Sequence, residues 1–161
     1  MHRAYVALGG NLDQPRQHVE RAFAELDALP QTRLLARSSL YLSAPVGYLE
    51  QPDFVNAVAQ VETDLDAADL LRELLAIEHR HGRFREFANA PRTLDLDLLL
   101  YDDCVLHQHG LTLPHPRMHE RAFVLAPLAE IAPRCLIPGR GVVADLLALT
   151  AGQPLEKLDA A

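Results

Sequence analysis

The segment PRTLDLDLLLY, residues 91–101, places Asp95 and Asp97 in a run that is otherwise leucine. Aspartate is depleted from strands, so two of them in such a run raise a chemical question. Side chains alternate across a strand. Asp95, Asp97, Leu99 and Tyr101 therefore share one face and Leu94, Leu96, Leu98 and Leu100 the other, with the carboxylates roughly 6.5–7 Å apart by strand rise. Two such acids, partly withdrawn from water, stay ionised only beside compensating positive charge. Mg2+ is one candidate, a hard ion that takes a few carboxylate oxygens and keeps waters or substrate phosphates. Arginine pairing on a solvated strand face is the other, and spacing alone leaves both open.

Arginines stand on both sides of the acidic strand. The chain has 14 arginines and one lysine, and Arg80, Arg83, Arg85, Arg92, Arg117 and Arg121 flank residues 93–101. The planar guanidinium fork suits bidentate contacts to phosphate. There is no GxxxxGK[ST] segment, and Gly9-Gly10 lacks the GxGxxG spacing, so a nucleotide bound here would have its phosphates held by Mg2+ and arginine rather than by a glycine-rich cradle. His79/His81 and His107/His109 have the spacing of metal pairs but no accompanying Cys or HExxH, and read as surface residues. His115 lies between Pro114 and Pro116, close to Arg117 and Arg121, and is placed to contact phosphate. A zinc pair of His115 and His119 would need a helix that Pro116 opposes.

Length, composition and charge bound the reading to a single folded unit in which any anionic ligand is met by a local cluster. A chain of 161 residues is one domain by size, and 49% hydrophobic with 23% charged residues is the balance of a folded protein. A net charge of −7 argues against binding to nucleic acid or to an anionic membrane through overall charge. Cys104 and Cys135 match no zinc or disulfide spacing, so the expectation is two reduced thiols in a cytoplasmic protein. No stretch approaches the 18 or so apolar residues of a membrane span, and no long apolar stripe is left for a partner, so a monomer is expected.

The elements that must position the acids follow from periodicity. Residues 4–8 read as a buried strand ended by Gly9-Gly10. A helix follows, with Asp13 as its cap, Pro15 in its first turn and Val19, Ala22, Phe23, Leu26 and Leu29 on its apolar side. Residues 34–42 and the run from Phe54 read as strands, joined by a long loop at 43–53. Asp66 caps a second helix whose apolar side is Leu70, Leu71, Leu74, Leu75 and Ile77; Glu78 continues that stripe, and Gly82 stops the helix. An arginine-rich loop, 83–92, leads into the acidic strand. The order β-α-β-β-α-β predicts an α+β fold, a ferredoxin-like antiparallel sheet with both helices on one face. Beyond it lies a C-terminal elaboration: irregular chain at 102–121, then helices at 122–131 and 142–149.

Four stretches, ALGGNL (7–12), SAPVGYLEQPDFVNAV (43–58), GRFREFANAPRTLDLDLLLY (82–101) and LTLPHPRMHERAFVLAPLAEIAP (111–133), resemble the 6-hydroxymethyl-7,8-dihydropterin pyrophosphokinases of folate biosynthesis in order and across most of the chain. The resemblance implies a single pyrophosphokinase domain over 1–161 that uses ATP and two Mg2+ ions, the ions held by Asp95 and Asp97. It implies catalytic roles for Arg83, Arg92, Asp95 and Asp97 and ATP contacts from Glu78, Arg83, Arg85, Arg92, Leu98, Thr112, His115 and Arg121. It implies a pterin pocket of Ser43, Ala44, Val46, Phe54, Asn56 and Phe123. The chain departs from the family pattern at Ser43-Ala44, at ANAPR and at Gly110. Two competing classes are separable by assay: a regulatory or RNA-binding module of the same fold would make no AMP, and a zinc hydrolase would carry stoichiometric zinc.

Overall fold

The computed structural model describes residues 1–45, 49–82 and 91–158. Its elements are β1 (His2–Gly10), α1 (Pro15–Asp27), β2 (Thr32–Arg37), β3 (Tyr41–Ser43), β4 (Phe54–Thr63), α2 (Ala67–Arg80), β5 (Asp95–Tyr101), β6 (Leu106–Gln108), β7 (Leu111–Leu113), a 3-10 turn (Met118–Glu120), α3 (Ala122–Ile131), β8 (Leu136–Ile137), β9 (Gly141–Val142), α4 (Val143–Ala148) and β10 (Leu155–Lys157). The main sheet runs β10-β3-β4-β1-β5, with β2 also on β4, and its pairings are antiparallel.

Alternation gives the sheet two different faces. Ala4, Val6 and Leu8 of β1, Val55, Ala57, Ala59 and Val61 of β4, and Leu94, Leu96 and Leu98 at β5 pack with Val19, Phe23 and Leu26 of α1 and Leu70, Leu74 and Ile77 of α2 in one buried cluster. Full burial of each large side chain there contributes about 1.5–3 kcal/mol. On the opposite face Val58, Leu99 and Leu100 pack with Val124, Leu125 and Leu128 of α3. The C-terminal elaboration thus covers part of the second face and leaves the end that carries Asp95 and Asp97 open.

Several expectations are corrected. Residues 34–42 form two strands, not one. Ser38 separates them: its N–H donates to Val58 O (2.9 Å) and its Oγ accepts the Val58 N–H (2.9 Å). Strand β1 continues through Gly9 and Gly10 instead of ending before them. The residue at the cap of α1 is Gln14, with φ 64° and no side-chain cap, so Asp13 does not cap this helix. Asp66 does cap α2, accepting the Asp69 N–H, and Gly82 follows at φ 79°, where the left-handed backbone that ends a helix favours glycine. Leu75 is exposed rather than part of the apolar side. In β5 the leucine alternation breaks: Tyr5 pairs with Leu100 and Val6 with Leu98, so a bulge at Leu99 sends Leu100 to the second face and Tyr101 to the first. The segment 102–121 holds the β6–β7 hairpin as well as irregular chain.

The C-terminal end of α2 is tied to α1. His81 is buried, its Nδ1 lies 2.7 Å from Nδ1 of His18, and its Nε2 contacts Oε1 of Glu25. Burial, then the charge shared with His81 and Arg21, lowers the pKa of His18 below its ordinary 6.5, and burial with Arg121 does the same to His115. For groups with lowered folded pKa values, the unfolded chain binds more protons near pH 6.5 than the native one does. Their contribution is therefore complete above that value and is lost on acidification. Tm is expected to fall between pH 7.5 and 5.5, and His18→Asn to reduce that fall; a wild-type Tm that rises toward pH 5.5 would contradict the assignment.

Candidate active site

A cavity opens on the uncovered part of the second face, lined by Ala7, Gly9, Ser43, Ala44, Phe54, Asn56, Arg92, Asp95, Asp97, Leu99, His115, Arg121 and Phe123 among others. The strand register explains how separate segments meet there. Asp95 lies opposite Gly9, Gly9 opposite Asn56, and Asn56 opposite Tyr41; Asp97 lies opposite Ala7, which lies opposite Val58. Strand β1 thus presents Gly9 and Ala7, with Leu8 between them, to the cavity. The two small residues form a floor between the acids on β5 and the Phe54–Asn56 segment of β4.

On the acidic side, Arg92 donates from Nη1 to Oδ2 of Asp95 at 3.0 Å, both side chains being less than one-fifth exposed. The guanidinium carbon of Arg92 also stands 5.2 Å from the Phe54 ring centroid, within cation–π range. The N–H of His115 donates to Leu99 O (2.9 Å), which fixes its imidazole beside β5. Burial, reinforced by Arg121 and Arg117 and opposed by Asp95, keeps that imidazole neutral at pH 7. Arg121, at the N-terminal boundary of α3, lies 5.4 Å from the Phe123 ring centroid. Burial and Arg117 lower its pKa while Asp97 and Asp95 oppose this, and a guanidinium so placed stays charged.

On the apolar side, Nδ2 of Asn56 donates to Ser43 Oγ (2.7 Å) and to Phe54 O (3.2 Å). Its Oδ1 lies on the Gly9 side, 3.5 Å from where a Cβ at position 9 would stand. That carbonyl oxygen is an acceptor offered to a donor edge of a flat ligand. The slot holding it has aromatic walls and few polar groups, as heterocycle sites do.

The structure gathers Ser43, Ala44, Phe54, Asn56, Arg92, Asp95, Asp97, His115, Arg121 and Phe123 around one cavity. Val46, Arg83 and Arg85 lie outside the described residues. Three others are elsewhere. Glu78 is 4% exposed and accepts the Leu96 N–H at 2.6 Å, satisfying the outer edge of β5 instead of reaching the cavity or fraying into water. Leu98 faces the helix-side core, and Thr112 sits on β7 paired with His107. His79, His107 and His109 are exposed while His81 is buried, so the histidine pairs do not converge. Among the described residues, no group of three or more His, Cys, Asp or Glu side chains is arranged to hold a metal.

Sequence reasoning missed three contributors. Asn11 is buried at 3% exposure at the neck between two loops; an asparagine after Gly-Gly reads only as a turn. Gln153 caps the start of α3, accepting the Ala122 N–H (2.9 Å) and donating to Glu120 O (2.7 Å), and so steadies Arg121 and Phe123. Glu130 accepts from the Ser39 N–H and hydroxyl and from Tyr41 OH, holding the approach to Ser43 against α3. These last two partners are some 30 and 90 residues away from the groups they hold, and no local pattern shows them.

Paired hard-oxygen donors, arginines and an apolar slot on one sheet face define a transferase that handles a phosphorylated co-substrate. The family model for 7,8-dihydro-6-hydroxymethylpterin-pyrophosphokinase matches residues 5–133, and the chain belongs to this family of pyrophosphokinases. The 2-amino-4-hydroxy-6-hydroxymethyldihydropteridine pyrophosphokinase of Pseudomonas aeruginosa is 45% identical over 161 residues, covering 100% of this chain and 99% of the relative. That of Haemophilus influenzae is 42% identical over 159 residues, covering 99% of each. Among solved structures, Plasmodium falciparum HPPK-DHPS with SDX-DHP superposes with a TM-score of 0.69 at 13% identity, covering 94% of this chain and 44% of that one. This last likeness shows the fold alone.

Proposed function

We propose that residues 1–161 form one pyrophosphokinase domain of ferredoxin-like topology, cytoplasmic and monomeric, with ATP and 6-hydroxymethyl-7,8-dihydropterin as substrates. The products are the pterin diphosphate and AMP. The observation that carries this reading is a single cavity in which acids and arginines border an apolar slot. Two free cysteines support the cytoplasmic placement, and among the described residues no helix is long and apolar enough to cross a membrane.

The donor set fits Mg2+: two carboxylates on one strand face supply hard oxygens and leave further positions to phosphate and water. Asp95 and Asp97 would hold the metal, two ions in this reading, which when bound offsets the triphosphate charge. Arg92, now on Asp95, turns guanidinium edges toward the phosphates, and Arg121 with neutral His115 donates to them from the opposite wall. Arg83 and Arg85, earlier in the sequence, add charge in this reading. Phe54 and Phe123 flank the pterin, and Asn56 Oδ1 accepts from its edge. The pterin hydroxymethyl oxygen bonds to the β-phosphorus as the bond to the α-bridging oxygen breaks. AMP departs with that oxygen, and the hydroxyl proton passes to solvent. The residues act by positioning and by balancing charge.

The test is product identity. With both substrates the protein is expected to form AMP and pterin diphosphate in equal amounts; ADP as the nucleotide product, or no turnover, would overturn the reading. Asn56→Ala removes the acceptor offered to the pterin together with the Nδ2 donor that holds Ser43 and Phe54 O, a loss of at least about tenfold. Its KM for the pterin is expected to rise by about that factor with the KM for ATP little changed, as checked by initial rates with each substrate varied.

A further inference from the structure

One side chain outside the cavity holds both of its borders. The Oδ1 of Asn11 accepts the Arg92 N–H (2.9 Å), and its Nδ2 donates to Gln51 Oε1 (2.8 Å) and Pro52 O (2.9 Å). Its own N–H and that of Leu12 both donate to Arg92 O, at 2.8 and 3.2 Å. The carboxamide is 3% exposed and its two ends address different segments. The acceptor end holds the residue whose guanidinium sits on Asp95 and over Phe54. The donor end holds the two residues that lead into Phe54 and Asn56 on β4.

We propose that Asn11 is a positioning residue that fixes the distance between the nucleotide side and the pterin side of the cavity, each end of its carboxamide serving one substrate. This deepens the assignment above and rests on it. The two ends can be separated chemically. Asn11→Asp keeps an acceptor for the Arg92 N–H but loses both donors. Gln51 can turn its amide to meet the new carboxylate, whereas the carbonyl oxygen of Pro52 can only repel it. Asn11→Ala removes both ends.

The experiment is steady-state kinetics of both variants with ATP and the pterin each varied, alongside thermal unfolding. Asn11→Asp is expected to raise the pterin KM about tenfold while the KM for ATP stays within about twofold of wild type. Asn11→Ala is expected to raise both KM values and to lower kcat. Loss of a merely structural hydrogen bond would lower Tm without dividing the two substrates. Equal changes in both KM values in Asn11→Asp, no change in either, or a change confined to ATP would overturn the proposal. Should Asn11→Ala fail to fold, the aspartate variant alone decides. Absence of AMP formation by the wild-type protein would instead remove the underlying assignment, so the two failures are distinguishable.

Discussion

Asp97→Ala is expected to lower the rate of AMP formation by on the order of 10³-fold while changing Tm little. Removing a group that stabilises developing charge costs about 10²–10³-fold in comparable sites, and loss of a metal ligand adds the effect of weaker metal binding. The stability effect is small because of the opposing neighbours Asp97 has in the protein alone. It lies two residues from Asp95 on the same strand face, in a cavity where Arg92 already pairs with Asp95. Repulsion from Asp95 and attraction to Arg121 act on this carboxylate in opposite senses, so deleting it moves Tm little. A structural aspartate would behave in the reverse way, losing Tm and retaining activity. The check is differential scanning calorimetry without Mg2+ beside an AMP assay with saturating substrates.

The largest effect on the fold is expected from Gly10→Ala. A Cβ at position 10 would stand 2.3 Å from the Thr93 carbonyl oxygen, 3.0 Å from its carbon and 3.3 Å from Arg92 O. Backbone cannot swing aside as a side-chain tip can. The substitution must push residues 92–93 away from β1 and break the bonds from Asn11 and Leu12 to Arg92 O. Overpacking of this kind costs about 1–3 kcal/mol, or roughly 2–12 °C of Tm for a domain of this size, and Arg92 moves with the displaced segment. Gly9→Ala is the control. Its Cβ would meet Asn56 Oδ1 and Val55 O at 3.5 Å, an ordinary contact, so the fold is expected to hold while the methyl raises the cavity floor and weakens pterin binding. Thermal unfolding of the pair checks the contrast; equal Tm values for the two variants would contradict it.

The sequence made visible what depends on local periodicity and on residue chemistry. The Asp95/Asp97 face follows from strand alternation alone, and both helices were readable because apolar residues recur at helical spacing on α1 and α2. What escaped was set by distant partners. The bulge at Leu99 is invisible because an unbroken leucine run looks the same in either register. Glu78 read as a nucleotide-side acid, yet the unpaired edge of β5 makes a buried carboxylate worthwhile there through one backbone N–H. The division of residues 34–42 depends on Ser38 meeting Val58, twenty residues onward. The pterin-side residues were legible only through resemblance, since Ser43, Ala44 and Asn56 carry no pattern of their own. Asn11 and Gln153 escaped because they act across the fold, at the junctions between segments.

In the proposed reading the acids on β5 persist side by side because they take divalent cations together with a nucleotide's phosphates. Its most direct test is anomalous diffraction from crystals grown with Mn2+ and a non-hydrolysable ATP analogue. Anomalous peaks bonded to oxygens of both Asp95 and Asp97 and to the analogue's phosphates are expected. Ordered analogue in the cavity with no metal on either carboxylate, and Asp95 still paired with Arg92, would rule it out.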